Sequence, residues 1–229
     1  EFIINGLSEL GFVNIEYKII NTASFGAPQK RRRFILIANK ANFIIPWPKE
    51  KYFLAPTDWQ KGFRGTWEVL SDLADKSSEK YFSNHTAPKH NPIVSERYSH
   101  VEKGCKLEPE NLPGHLRYGI KTKKLIKKFS HVHYRLHPDH PAPTLVPGHN
   151  AFPIHPTLNR TLTIREAARL QTIPDRIEFG GSIINQGLQV GNAFPPLVAQ
   201  MFAERLVRVV RNNWTDETVT KLAKYSMIE

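Results

Sequence analysis

A run of fixed positive charge carries the first chemistry in this sequence. Gly26-Ala27-Pro28-Gln29-Lys30-Arg31-Arg32-Arg33 sets a lysine and three arginines behind a glutamine. Guanidinium groups hold a permanent charge and a rigid fork of donors, which suits phosphate and carbonyl oxygens. Alternate side chains of an extended segment share a face, so Gln29, Arg31 and Arg33 are expected on one side and Lys30 and Arg32 on the other. Taken alone, the run also fits a solvated basic turn beside an edge strand.

Two further stretches have the right residue types for a site. In Gln189-Val190-Gly191-Asn192-Ala193-Phe194-Pro195-Pro196-Leu197, Gly191 lets backbone approach a neighbour closely. Asn192 is expected to cap the helix that follows, whose free N–H groups favour an anionic group. In Arg160-Thr161-Leu162-Thr163-Ile164-Arg165-Glu166-Ala167-Ala168-Arg169-Leu170, Thr163 and Glu166 have the spacing of a capping box. By physics alone that stretch is a structural helix with two surface arginines, Arg165 and Arg169.

A lysine run lies between these stretches. Lys121, Lys123, Lys124, Lys127 and Lys128 fall in a segment, 111–138, with no acidic residue. Such a run tracks phosphates without reading sequence, or it is a solvated helical face. His131, His133, His137 and His140 are near, but with no cysteine beside them and no known finger spacing. Groove or surface contacts are expected of them, and no metal. Cys105, in EKGCKLEP, is read as an incidental residue and not as a nucleophile.

The elements that must position these residues are α/β in kind. Residues 2–12 carry a helical apolar stripe that Gly11 ends. Residues 14–23 alternate as a strand, and 33–40 form the short apolar run of a buried strand. The opening, 1–45, is therefore part of an α/β domain. Residues 46–157 are rich in proline, aromatics and histidine, with a short helix expected at 66–75 and short strands elsewhere. Regularity returns over 158–211: a capped helix that Pro174 stops, a glycine-bearing stretch, and a last helix begun by Pro195 and Pro196. Residues 212–229 form a polar tail.

Length and composition narrow the function classes. At 229 residues the chain can bury a sizeable core. No stretch has the roughly 18 consecutive apolar residues of a membrane helix. One cysteine precludes an internal disulfide and fits a reducing, cytoplasmic setting. The net charge of +11 points to an acidic partner, nucleic acid above all.

Together and in this order, the three motifs resemble those of the cytosine-5 DNA methyltransferases. GAPQKRRRF resembles the family's QxRxR motif. RTLTIREAARLQTIPD resembles its RxLTxREAARLQxFPD motif, with Ile173 where Phe is usual. QVGNAFPPL resembles its QxGNAVPPL motif, with Phe194 where Val is usual. Ala142-Pro143-Thr144-Leu145, followed by His155-Pro156, resembles its Thr-Leu element. The family's glycine-bearing cofactor loop, Pro-Cys nucleophile segment and Glu-Asn-Val segment are not in this sequence.

The resemblance implies the C-terminal part of a Rossmann-like, S-adenosylmethionine-dependent α/β domain, with 46–157 as a loop-rich, mostly β target-recognition domain. It implies methylation of a flipped cytosine in duplex DNA, in a prokaryotic restriction-modification setting, with an N-terminal half or subunit supplying the nucleophile. Arg33 would contact the cytosine O2, where charge builds up, and Arg31 the adjacent phosphate or the loop. Gln29, Thr144, Leu145 and the lysine run would lie along the DNA. Arg160, Arg165 and Glu166 would dock the recognition domain. Gly191 and Asn192 would close the S-adenosylmethionine pocket near its carboxylate. A non-catalytic DNA-binding module is the competing reading; it gives no reason to retain QVGNAF. An RNA methyltransferase is a third, which the length of the insert disfavours.

Overall fold

The computed structural model describes residues 1–41, 43–129, 133–148 and 152–213. His131 and nearly all of the tail lie outside them. The order is α1 (Phe2–Glu9), β1 (Asn14–Asn21), β2 (Arg32–Asn39), β3 (Tyr52–Phe53), β4 (Lys61–Gly62), α2 (Trp67–Leu70), α3 (Pro92–Ser99), α4 (Ile164–Leu170), α5 (Ile183–Asn192) and α6 (Pro196–Asn213).

β1 and β2 form an antiparallel ribbon in which Ile20 lies opposite Arg33 and Asn21 opposite Arg32. Between them, the 3-10 turn Thr22–Phe25 is capped by the Asn21 side chain and closed by Gly26 at φ +96°. Glycine is needed there twice over: the left-handed φ disfavours other residues, and a Cβ would sit 2.8 Å from the Tyr52 ring. One ribbon face packs through Ile20, Ile35 and Ile37 on Val198 and Phe202 of α6. The other is open, so β2 is not the fully buried strand its apolar run suggests; Phe34 is 56% exposed.

The main core gathers around α4. Leu162, Ile164, Ala167, Ala168 and Leu170 pack with Leu136, Ala142, Leu145, Phe152 and Val190. Thr163 and Glu166 make both bonds of the capping box, and α4 ends before Thr172, a left-handed residue. A second core of Tyr98, Val101, Leu107, Leu112, Leu116 and Ile154 stabilises α3 and the turns after it.

Several elements differ from the sequence reading. The middle region is loop-rich but not mostly β: its strands, β3 and β4, have two residues each, beside isolated bridges. The helix expected at 66–75 is one α turn followed by the 3-10 turn Ser71–Leu73. The lysine run is no helix. Gly119 and Lys124 close a turn whose ends meet in a Tyr118–Leu125 bridge. The glycine-bearing stretch holds a helix, α5, opened by Ser182 accepting a bond from the Asn185 N–H.

Candidate functional site

The turn after β1 is tied to two distant parts of the chain. Its backbone pairs with the 142–144 segment in an isolated bridge: the Lys30 N–H donates to the Ala142 carbonyl at 2.8 Å, and the Ala142 N–H to the Pro28 carbonyl at 2.9 Å. The exposed Thr144 hydroxyl donates to the Lys30 carbonyl at 2.9 Å. Arg31 then reaches through the interior. Its Nη1 donates to the Leu145 carbonyl at 3.3 Å and its Nη2 to the Gly191 carbonyl at 2.7 Å. Gly191 lies against Pro147, where a Cβ would stand 2.4 Å from the proline Cα. Residues 28–31, 142–147 and 190–192 thus meet at one point, with Arg31 as the tie.

The alternation along the turn is the one its spacing predicts: Gln29 and Arg31 are buried, Lys30 and Arg32 exposed. The Gln29–Arg31 side, however, faces the interior and not an open surface. Burial, aided by the neighbouring Arg33 charge, lowers the Arg31 guanidinium to about 10, and it stays charged at neutral pH. Both amide atoms of Gln29 and Nε of Arg31 lack partners among the described residues. Gln29 and Leu145, assigned to DNA contact from the sequence, are fully enclosed in this structure. Arg33 is half-buried, with Nη1 on the Arg32 carbonyl and the rest of its fork open.

Asn192 is the last residue of α5, not the cap of the helix that follows. A helix C-terminus offers carbonyls, not free N–H groups, so the expected backbone donors for an anion are absent at 191–192. The Asn192 side chain is exposed and makes no hydrogen bond among the described residues, leaving its amide available to a polar ligand. That donor, beside a backbone that Gly191 holds against Pro147, fits the edge of a cofactor pocket.

The α4 residues are placed by dense polar contacts. Arg160 makes two 2.7 Å bonds to the buried Glu166 carboxylate. Burial alone would raise that carboxyl, but the Arg160 bonds outweigh it and hold it below the usual carboxylate range. Arg165 is not a surface arginine. It is fully buried and donates to Ser83, Pro174 and Ile177 carbonyls. Arg169, unassigned in the sequence reading, pairs with Asp175 and Asp72 and lies over the Phe82 ring. α4 is thereby bonded to residues 69–84.

The five lysines of the run are all exposed on the 119–128 turn. Among the described residues no hydrogen bond or ion pair joins them to the Arg31 cluster. Two other cations of segment 111–138 serve structure. Arg117 donates to the Leu112 and Glu110 carbonyls. Arg135 is buried and donates to Val101, His155, Leu158 and Tyr98 carbonyls and to Asn159 Oδ1. Nothing local in the sequence marks Arg135, because its acceptors are mostly main chain and distant. Among the described residues no group of three or more His, Cys, Asp or Glu is placed to hold a metal. A cavity of about 620 Å³ bounded by His90, Tyr98, His133 and Thr161 contains none of the Arg31 cluster.

Comparison with known proteins gives a family. The model of the C-5 cytosine-specific DNA methylase family matches residues 1–208. The type II methyltransferase M.BbvI of Brevibacillus brevis is 29% identical over 95% of this chain and 58% of its own length. M1.HphI of Haemophilus parahaemolyticus is 32% identical over 89% of the chain and 50% of its own length. M.AquIB of Picosynechococcus sp. is 34% identical over 54% of the chain and 86% of its own length. The chain thus spans about half the length of the first two relatives. A solved structure of a candidate DNA modification methyltransferase encoded within a prophage (E. coli) superposes with a TM-score of 0.58 at 23% identity. That match covers 92% of this chain and 65% of that one, and it shows a shared α/β fold. Among the described residues no helix is long and apolar enough to cross a membrane.

Proposed function

The chain belongs to the C-5 cytosine-specific DNA methylase family, and from that membership we propose that it is the C-terminal portion of a type II DNA cytosine-5 methyltransferase. In this reading it binds duplex DNA through residues 46–157 and completes the cytosine and S-adenosylmethionine sites. The observation that carries it is the Arg31 tie. The GAPQKRRRF, Ala142–Leu145 and QVGNAF stretches, spread from residue 26 to residue 194, converge on one guanidinium, as they must if they line one site.

Each side chain then has a physical task. The open fork of Arg33 donates to the O2 of an extruded cytosine, stabilising charge that develops there. Arg31 positions: it fixes the 144–147 loop against the turn that carries Arg33. Thr144, bonded to Lys30, sets the outer edge of that junction along the DNA. Arg160 and Glu166 lock the start of α4, while Arg165 holds it to the 83–84 segment. S-adenosylmethionine, which the family uses, supplies the methyl group when bound, and Asn192 offers it an amide. Extruding the base costs a few kcal/mol, a reason for phosphate contacts by the exposed lysines.

The nucleophilic Pro-Cys segment and the glycine-bearing cofactor loop are supplied by an N-terminal half, in the same or a separate polypeptide. The Picosynechococcus relative, most of whose length lies within its match, supports a separate-chain arrangement. A tritiated-methyl assay tests the reading. Residues 1–229 alone should transfer no methyl to duplex DNA, and adding the N-terminal half should restore transfer. Activity of the chain alone would sink the two-part reading.

A further inference from the structure

We propose that the cavity between α3 and the start of α4 is a nucleotide site, separate from the Arg31 cluster, which takes a nucleobase against His90 and Tyr98 and its phosphate at Lys89. The cavity holds about 620 Å³, an ordinary size for a small-molecule site. Its walls come from the protein interior. Tyr98, Phe152, Leu162 and Ile164 all border it, and none is more than 3% exposed.

Two polar groups are left over in these apolar walls. The His90 Nε2 accepts from the Thr161 N–H at 3.1 Å, with the Thr161 hydroxyl at 3.2 Å. Burial, aided by the Arg160 and His133 charges, lowers the His90 imidazole below its ordinary value, so the ring is neutral at pH 7. Its one proton is therefore on Nδ1, which makes no hydrogen bond among the described residues. The enclosed Tyr98 hydroxyl makes none there either. Burial raises that phenol, which keeps it an O–H donor. A buried tyrosine ordinarily finds a partner for its hydroxyl, and an acceptor on a ligand completes both groups. The two rings meet edge to face with centroids 5.4 Å apart, close enough for both donors to serve one small ring.

The class of ligand follows from the lining. No Asp or Glu borders the cavity, while Thr86 and Lys89 stand exposed at its rim. A cation is disfavoured and an anionic group is accepted at the mouth. Aromatic and aliphatic walls suit a planar ring. Guanine brings two adjacent acceptors, O6 and N7, to two donors, and its nucleotide adds a phosphate for the Lys89 ammonium. A free nucleotide and a nucleotide unstacked from DNA share this chemistry; the second carries the cost of leaving the stack, which is least for an unpaired base.

Calorimetric titration of the chain tests the site. The probes are deoxyguanosine monophosphate (dGMP), guanosine, inorganic phosphate, and a duplex with one bulged guanine beside the same duplex without it. With a free nucleotide as the ligand, dGMP should bind with a Kd of about 1 mM or tighter, guanosine more weakly and phosphate hardly at all. Tyr98→Phe, which keeps the ring, should weaken dGMP about tenfold, and Lys89→Ala should erase the difference between dGMP and guanosine. With DNA as the source, dGMP is not bound, the bulge tightens duplex binding about tenfold, and Tyr98→Phe and Lys89→Ala each remove that gain. Lys89 is exposed, so its variant decides the matter even where Tyr98→Phe fails to fold. Lys49→Ala, on another surface, should leave dGMP affinity unchanged. Phosphate binding as tightly as dGMP would overturn recognition of a base. No response to dGMP or to the bulge, or responses that survive the Tyr98 and Lys89 variants, would overturn the site.

Discussion

Arg32 and Arg33 are neighbours in sequence and opposites in the ribbon. Arg33 stands across from Ile20 on the side that faces α6, and Arg32 across from Asn21 on the other. On the role proposed for Arg33, Arg33→Ala in the reassembled enzyme should remove a charged donor from the developing oxyanion, a loss of about 3 kcal/mol or roughly a hundredfold in rate. Arg32→Ala should cost far less. Single-turnover rates at saturating DNA and cofactor isolate the chemical step; equal losses would show that the run acts only as diffuse charge. Gly191 makes a different demand. In Gly191→Ala the new methyl meets Pro147 backbone, which cannot swing aside as a side chain can. Overpacking of this kind destabilises by about 1–3 kcal/mol. It should also loosen the 2.7 Å Arg31 bond, read as a lower urea midpoint for the chain. An unchanged midpoint would mean that the 144–147 loop yields freely.

At the scale of elements, the lysine turn is the clearest electrostatic device. Its closure by Gly119 and Lys124 leaves five ammonium groups in water. Neutralising about five phosphates implies a log–log salt slope near −4.5 for duplex binding. Replacing Lys121, Lys124 and Lys128 by alanine should flatten that slope while leaving sequence preference alone; an unaltered slope would make the turn a solvated surface. How far such elements show in sequence depends on whether their cause is local. The α4 cap was legible because both of its bonds lie within four residues. β1 showed through its loose alternation and β2 through its apolar run, although β2 has one open face. α5 was hidden because its two glycines, Gly187 and Gly191, read as loop, whereas both are buried where the helix packs closely. Arg135 and Arg165 were hidden because their acceptors are carbonyls brought near only by the fold. That the segment around Arg31 is a candidate site was legible from residue types. That Gln29 and Arg31 face inward was not, since alternation gives two sides without naming the inner one.

For the molecule as a whole, one buried imidazole sets a pH dependence. His155 is fully enclosed, and its Nδ1 accepts from the Thr157 and Leu158 N–H groups. Burial lowers its pKa to about 4 from 6.5; Glu166 opposes the shift, and Arg160 and Arg135 add to it. It is therefore neutral at pH 7, and its 3.6 Å approach to Glu166 is not an ion pair there. Between about pH 6.5 and about pH 4 the unfolded chain takes up a proton that the folded chain refuses. Stability therefore falls as pH drops through that window, by about 3 kcal/mol in all, and this contribution levels once the folded imidazole protonates. The depressed Glu166 carboxyl acts in the same direction in acid. Urea midpoints measured from pH 7.5 down to 4 should show the decline, and His155→Gln should flatten it. A midpoint independent of pH would mean that His155 is reached by water.

Arg135 has a consequence of another kind. Four of its five acceptors are backbone oxygens, and every peptide carries one whatever its side chain. The loops that converge on it can therefore change their outward residues through evolution without losing the bonds that seat them. On the proposed reading, relatives can drift in what those loops contact while inheriting the same scaffold. Variation in target choice is then cheap at the rim and forbidden at the hub: an exchange of whole loops should graft between relatives that retain this arginine, and fail where it has been replaced.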